Sequence, residues 1–112
     1  MELYFKNRKL ERILKSEKEI VKAYGQKNAM LIKRRMSILK AESSLAGVSH
    51  NKPERRHELK GDRKGQFAVD VNEQIRIVLK PAHNPAPEKE DGSIDLSKVT
   101  AVIILSVEDY HK

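Results

Sequence analysis

A chain of 112 residues, 38% hydrophobic and 35% charged, predicts one domain (1–112) with a thin core. It contains no cysteine, which excludes disulfides and thiolate metal sites and fits a reducing cytoplasm. The early charges of Met1-Glu-Leu-Tyr-Phe-Lys6 argue against a signal peptide, and no apolar run approaches the ~20 residues of a membrane span. A soluble, intracellular protein away from the membrane is expected. The net charge of +7 is uneven: residues 1–51 carry 12 Lys/Arg against 5 Asp/Glu, residues 52–80 carry 8 against 5, and residues 81–112 carry 3 against 6. A basic body of this kind points to a polyanion or an acidic partner; a merely solvated lysine-rich surface is the plainer alternative.

In chain order, Leu3-Tyr4-Phe5 predicts a short strand. From Asn7 the period becomes helical: Leu10, Ile13, Leu14, Glu17, Val21 and Tyr24 fall on one face, widened by Ile20. One amphipathic helix is predicted over 8–24, N-capped by Asn7 and ended by Gly25. A second helix is predicted from about Lys27 to Ala46, with two apolar stripes, Ile32/Met36/Leu39 and Leu31/Ile38/Leu45. One stripe suits the first helix or a sheet; the other needs intramolecular cover or a partner protein. The Lys33-Arg34-Arg35 triplet within it reads as a solvated face.

A polar connection containing His50 leads to the stretch Arg55–Leu79. It opens with the cations Arg55, Arg56, Lys60, Arg63 and Lys64, interrupted by a turn between Gly61 and Gly65. Two alternating runs follow, Phe67/Val69/Val71 and Ile75/Ile77/Leu79, linked by Asn72-Glu73-Gln74. They predict a hairpin with six apolar side chains on a dry face. Its wet face leaves Asp70 beside Arg76, either as an ion pair or with Arg76 turned to a ligand. Three of the four prolines fall in the next stretch, Pro81–Ser93, predicting a long, mobile loop in which His83 is solvated. Val99–Val107 is nearly continuously apolar, predicting a central strand buried on both faces. It delivers Glu108-Asp109-Tyr110-His111. The fold class expected is α+β, a helical pair on one face of a mostly antiparallel sheet.

The sequence holds no Gly-rich phosphate loop, no HExxH, no GxSxG and no CxxC, and its histidines lack helical i,i+4 spacing. No metal site and no cofactor is expected. RNA can be cut without either if its own 2′-hydroxyl attacks the adjacent phosphate. Such a reaction needs a proton acceptor, cations on the pentacovalent phosphate and a donor to the leaving oxygen. Lys60, Arg76, Tyr110 and His111 on one sheet face would supply these parts, with Tyr110 also able to stack on an unpaired base. Each has a plainer reading: Arg76 paired with Asp70, Tyr110 capping the core, His111 without a role, His57 tucked against the core. His57 and Lys60 are three apart, so they share a site only if strand alternation breaks near Gly61.

At these residues the sequence resembles the HigB-like branch of the RelE/ParE toxin superfamily, the plasmid maintenance killer type. The resemblance is carried by His57-x-Leu59-Lys60-Gly61-Asp62-Arg63-x-Gly65, Phe67-x-Val69-x-Val71, Ile75-Arg76-Ile77, Asp91-Gly92 and Glu108-Asp109-Tyr110-His111. Leu10-Glu11 and Tyr24-Gly25 also fit. It implies a RelE-like fold, with an N-terminal strand and two helices packed on a mostly antiparallel sheet of four to five strands. It further implies a bacterial type II toxin acting as a ribosome-dependent, metal-independent mRNA interferase in the A site. The implied partners are the 70S ribosome with its mRNA and a cognate helix-turn-helix, HigA-like antitoxin. In that pattern Lys60 and Arg76 hold the scissile phosphate. Asp109, Tyr110 and His111 orient the RNA and move protons, and His57 is a further candidate. Arg55, Arg56, Arg63 and Lys64 contact RNA backbone. Two departures stand out: Ile75 replaces an aromatic that often precedes the strand arginine, and the 81–98 loop is longer than in the shortest members. A gyrase-inhibiting ParE-like branch, which lacks the DYH ending, is the second reading, and a non-catalytic RNA-binding module the third.

Overall fold

The computed structural model describes residues 1–109; Tyr110 and His111 lie outside the described residues. The chain runs β1 (Glu2–Phe5), α1 (Arg8–Leu14), α2 (Glu17–Tyr24), α3 (Gln26–Ala41), β2 (His57–Glu58), β3 (Phe67–Asp70), β4 (Ile75–Pro81) and β5 (Ala101–Asp109). Short 3-10 turns occupy Leu45–Gly47, Gly61–Arg63 and Leu96–Lys98. The class is α+β, as expected, but the two predicted helices are three.

The break falls at Lys15-Ser16. Asn7 caps α1 as predicted, its side chain accepting from the Leu10 N–H at 2.8 Å. Ser16 has extended backbone and caps α2 by accepting from the Glu19 N–H at 3.2 Å. Leu14 and Ile20 are both buried in the same core, whereas on one straight helix they would stand about 120° apart. The break turns both inward. Gly25, at φ +88°, then ends α2 and passes directly into α3. That helix stops at Ala41 rather than Ala46; Glu42 is extended, and Leu45 reaches the core from the following 3-10 turn.

The five strands are ordered β1-β5-β4-β3-β2, with β1 parallel to β5 and the other pairs antiparallel. Phe67, Val69, Val71, Ile75, Ile77 and Leu79 all enter the main core, as their alternation predicted, against Ile20, Ile32 and Leu39 of the helices. Each such buried side chain contributes roughly 1.5–3 kcal/mol, so the hairpin register is strongly fixed: a slip of one residue would expose the whole set.

Two expectations about the sheet's faces need correction. β5 lies between β1 and β4 but is dry on one face only; Val102 and Ile104 are fully buried, Ile103 and Leu105 half-buried. Among the described residues no helix joins the apolar cluster on the second face. Nor is that face uniformly wet, because Leu59 folds over Ala68 and Val78 to form a small second cluster with Leu105.

The basic triplet of α3 also divides. Lys33 pairs with Glu17 at 3.2 Å on the surface. Arg35 is buried, 6% exposed, and donates from Nε to the Asp70 carbonyl (2.7 Å) and from Nη2 to the Val71 carbonyl (3.2 Å). Its position falls within the Ile32/Met36/Leu39 stripe, so helix geometry drives it inward. The carbonyls at the end of β3 meet its donors there. The stretch after β4 is pinned by backbone hydrogen bonds from Ala82 to Ala101 (2.9 Å), Lys89 to Ser93 (2.8 Å) and Asp95 to Pro87 (2.8 Å). Among the described residues no helix is long and apolar enough to cross a membrane.

Candidate functional site

The site begins with an irregularity in β5. Ile77 faces Val107 and Val78 faces Ser106, but Leu79 faces Ile104, so Leu105 is an extra, bulged residue. A bulge reverses the side-chain parity of the residues after it. Before it, Val102 and Ile104 point toward the helices. After it Val107 does so, while Ser106 and Glu108 turn to the helix-free face beside Val78 and Arg76. Regular alternation would have driven Glu108 into the core.

The second contribution comes from the 3-10 turn Gly61–Arg63. Gly61 (φ +68°) and Gly65 (φ +92°) bracket it with backbone conformations that side chains resist. The Gly65 N–H donates to the Glu58 carboxylate at 3.0 Å, tying the turn to β2. Arg63 is thereby brought over the sheet to Glu108, 45 residues later in the chain.

Four side chains converge. Arg63 Nη2 donates to Glu108 Oε2 at 2.7 Å and its Nη1 to Oε1 at 3.3 Å. Arg76 donates to the same Oε1 from Nη2 (3.3 Å) and Nε (3.4 Å), and Ser106 Oγ donates to Oε2 at 2.8 Å. Burial alone would raise the Glu108 pKa. The hydrogen bonds from Arg63 and Ser106 and the neighbouring positive charge outweigh it and hold the carboxyl down at about 2. The Arg63 guanidinium is pushed up in turn by its hydrogen bond to Glu108. Asp62 adds a second carboxylate in the field of Arg63. Side-chain exposures of 36% for Arg63, 28% for Glu108 and 16% for Arg76 leave the cluster open to solvent on one side.

This geometry suits a phosphate. The Arg63 guanidinium already spans two carboxylate oxygens and Arg76 grips one of them with two N–H groups, arrangements that phosphate oxygens fit equally well. Glu108 is ionised at neutral pH and, with a pKa near 2, a weak base, so its part is to orient the two arginines rather than to take a proton. Among the described residues no three His, Asp or Glu side chains are grouped to hold a metal.

Of the residues singled out from sequence, the structure joins Arg76 and Arg63. His57 pairs with Ala68 and so shares the helix-free face, with Nδ1 2.8 Å from the Arg55 carbonyl. Lys60 is exposed; its carbonyl accepts from the Arg63 N–H at 3.4 Å. It follows buried Leu59 in extended backbone, so alternation turns it away from that face. Lys64 is likewise exposed. Asp109 is opposite Ile75 and so lies on the helix side of the sheet, where Gln74 Nε2 donates to it at 2.9 Å. Arg55 clamps the Asp70 carboxylate at 2.6 and 3.2 Å from a left-handed backbone (φ +43°). Arg56, whose pKa burial lowers, donates to the Leu45 carbonyl at 3.3 Å. Asp70 and Arg76 are cross-strand neighbours as predicted, yet Asp70 is held by Arg55 and Arg76 by Glu108. Sequence reasoning gave Glu108 and Ser106 no role, since only the Leu105 bulge brings them to Arg76.

No protein-family profile and no curated protein sequence matches the chain. Solved structures do match. Over 99% of its length and all of the other chain it is similar to a YoeB/ParE toxin from Agrobacterium tumefaciens, with TM-score 0.59 and 11% identity. The fold is the one these toxins share. Two Staphylococcus aureus structures, a YoeB–YefM complex (TM-score 0.55, 13% identity) and a YoeB dimer (0.54, 14%), align over 100% of this chain and 98% of theirs. The RelE-like architecture expected from the motifs is therefore observed, with three helices in place of two. At these identities the likeness concerns the path of the chain, and the site rests on its own geometry.

Proposed function

We propose that this chain is the toxin of a type II toxin–antitoxin pair, of the HigB-like kind, and that it cleaves mRNA in the ribosomal A site. The observation that carries this reading is the Arg63–Glu108–Arg76 cluster, two guanidiniums joined by one carboxylate and partly open to solvent on the sheet face away from the main core. In the reaction, the 2′-oxygen bonds to phosphorus as the bond from phosphorus to the 5′-oxygen breaks. The 2′-hydroxyl loses its proton to a base and the leaving oxygen gains one from an acid. Arg63 and Arg76 displace onto the non-bridging oxygens and hold the charge that builds there. Removing one such donor typically costs about 100- to 1,000-fold in rate. Tyr110 and His111 take base stacking and proton transfer, as the DYH motif implies, with His57 a second proton carrier. Asp109 positions this segment from the helix side, and Lys60 and Lys64 supply backbone contacts at the margin. Arg55 and Arg56 keep the 51–56 connection folded.

The partner follows the same reading. One solved neighbour is a YoeB–YefM complex, and a cognate HigA-like antitoxin is proposed for this chain. Its docking surface is the groove between α2 and α3, lined by Val21, Ala29, Met30 and Ile38, where Met30 is 52% exposed. Ile38→Asp in a folded toxin is expected to abolish antitoxin binding.

The test is primer extension on mRNA in a translation reaction, with and without ribosomes. Wild type is expected to cut within codons only when ribosomes are present, and Arg76→Ala and His111→Ala to lose the cuts. Intact mRNA with wild type overturns the reading and makes gyrase supercoiling the next assay.

A further inference from the structure

The helix-free face continues well beyond the arginine cluster. Two adjoining cavities of about 780 and 640 Å³ share Lys80, Ala82, His83 and Ile103 and form one groove across β1, β5 and β4. The register draws a straight row over three strands, Tyr4 opposite Ile103 and Ile103 opposite Lys80, all on this face. Strand spacing puts the ends of that row ~10 Å apart, and Lys80 lies ~13 Å along β4 from Arg76.

The groove has three chemical components. Ala101, Ile103 and Leu105 give it an aliphatic floor. Tyr4 stands at one end, 51% exposed, a large aromatic ring with no core to fill. Its hydroxyl donates to Glu2 at 2.6 Å, which fixes the ring beside the floor. Lys6, Lys64 and Lys80 line the walls against the single acid Glu2, for a balance of +3 − 1 = +2. His83 adds a fixed donor: the Thr100 N–H donates to Nε2 at 3.1 Å, so the ring proton sits on Nδ1.

We propose that this groove is a channel for single-stranded RNA, which stacks a base on Tyr4, lays its phosphates on Lys80 and Lys6 and leads the strand to Arg63 and Arg76. Flat aromatic and aliphatic surface flanked by cations is the arrangement that binds unpaired strands, whose exposed bases stack and whose backbone is charged. An acidic peptide would match the lysines but would leave Tyr4 without a use. The inference deepens the RNA reading above, and its test is independent of cleavage.

The experiment is fluorescence anisotropy with a labelled single-stranded RNA methylated at every 2′-oxygen, which cannot attack its own phosphate. Tyr4→Leu is expected to weaken binding about tenfold, the scale of one lost base stack. Tyr4→Phe is expected to bind as wild type, because the ring and not the bond to Glu2 is used. Lys80→Ala should lower the slope of log affinity against log salt by about 0.7, one released counterion contact on a single strand. Circular dichroism melts check that these exposed-site variants remain folded. Wild-type affinity in both Tyr4→Leu and Lys80→Ala overturns the channel, as does equal loss in Tyr4→Phe and Tyr4→Leu, or an acidic peptide displacing the RNA with Tyr4 irrelevant to it. If the groove variants weaken binding while ribosomal mRNA stays intact with wild type, the channel stands and the interferase reading falls. If mRNA is cut and the groove variants bind like wild type, the reverse holds.

Discussion

Two arginine–carboxylate clusters flank the β3–β4 hairpin, and their chemistry is nearly the same. At one side Arg55 grips Asp70 with two hydrogen bonds, and Asp70 is 8% exposed. Beneath it Arg35 binds the carbonyls of Asp70 and Val71. At the other side Glu108 is divided between Arg63 and Arg76 and remains partly open. In the first cluster the carboxylate side chain is only 11% exposed and Arg35 is buried, and together they join α3 and the 51–56 connection to the end of β3. In the second the carboxylate side chain is 28% exposed and the cluster keeps a face toward solvent. Burial of the carboxylate, not residue type, separates a rivet from a binding site: a shielded carboxylate is not exchanged for an arriving anion, whereas an open one shared by two arginines can be.

The comparison breaks most sharply at Arg63 and Arg76. Arg63→Ala is expected to slow cleavage of ribosome-bound mRNA about 100-fold while moving the urea midpoint little, since exposed ion pairs contribute only ~0–1 kcal/mol. Equal activity would remove Arg63 from the site. Arg35→Met should have the largest effect on stability, about 2–3 kcal/mol, because two buried carbonyls lose a charged donor; urea unfolding measures it, with cleavage per folded molecule unchanged. Asp70→Asn should cost less, about 1–2 kcal/mol, since Arg55 keeps 39% of its side chain in water.

The smallest effect is in acid. The Glu108 pKa is depressed in the folded protein, from an ordinary 4.5 to about 2. Its stabilisation is therefore fully present above pH 4.5 and is lost as pH falls toward 2. Wild type should exceed Glu108→Gln by on the order of 1–2 kcal/mol at neutral pH, allowing for solvent screening. That gap should close across the acid window. A gap that persists unchanged at low pH would show that the carboxylate's charge is not what the arginines hold.

Much of this was legible in the sequence, and what was missed has physical causes. Alternation from Phe67 to Leu79 gave the hairpin and its core face, because the period of two admits only one register with a dry side. Asn7 and Gly25 marked helix ends through side-chain and backbone chemistry that act locally. The break at Ser16 was also readable, since Ser16-Glu17-Lys18-Glu19 has the S-x-x-E pattern of a helix start; the strong apolar stripe on both sides masked it. Leu45 joined a seven-residue spacing with Leu31 and Ile38 by coincidence, and the two serines before it already spoke for an ended helix. Arg35 sits in the buried stripe, but charge alone suggested solvent. The Arg63–Glu108 pair was out of reach: it spans 45 residues and depends on a bulge at Leu105 that no local pattern in β5 announces.

The measurement that tests the central claim most directly is a crossed one. Single-turnover cleavage of ribosome-bound mRNA and urea unfolding are each measured on wild type, Arg76→Ala and Asp70→Asn. The structure predicts that Arg76→Ala loses about 1–2 kcal/mol, its side chain being only 16% exposed, and when folded cuts at least about 100-fold more slowly, while Asp70→Asn loses a similar amount and cuts at the wild-type rate when folded. Undiminished cleavage by Arg76→Ala, or equal slowing by the two variants, would contradict the assignment of the Arg63–Glu108–Arg76 cluster as the phosphate site.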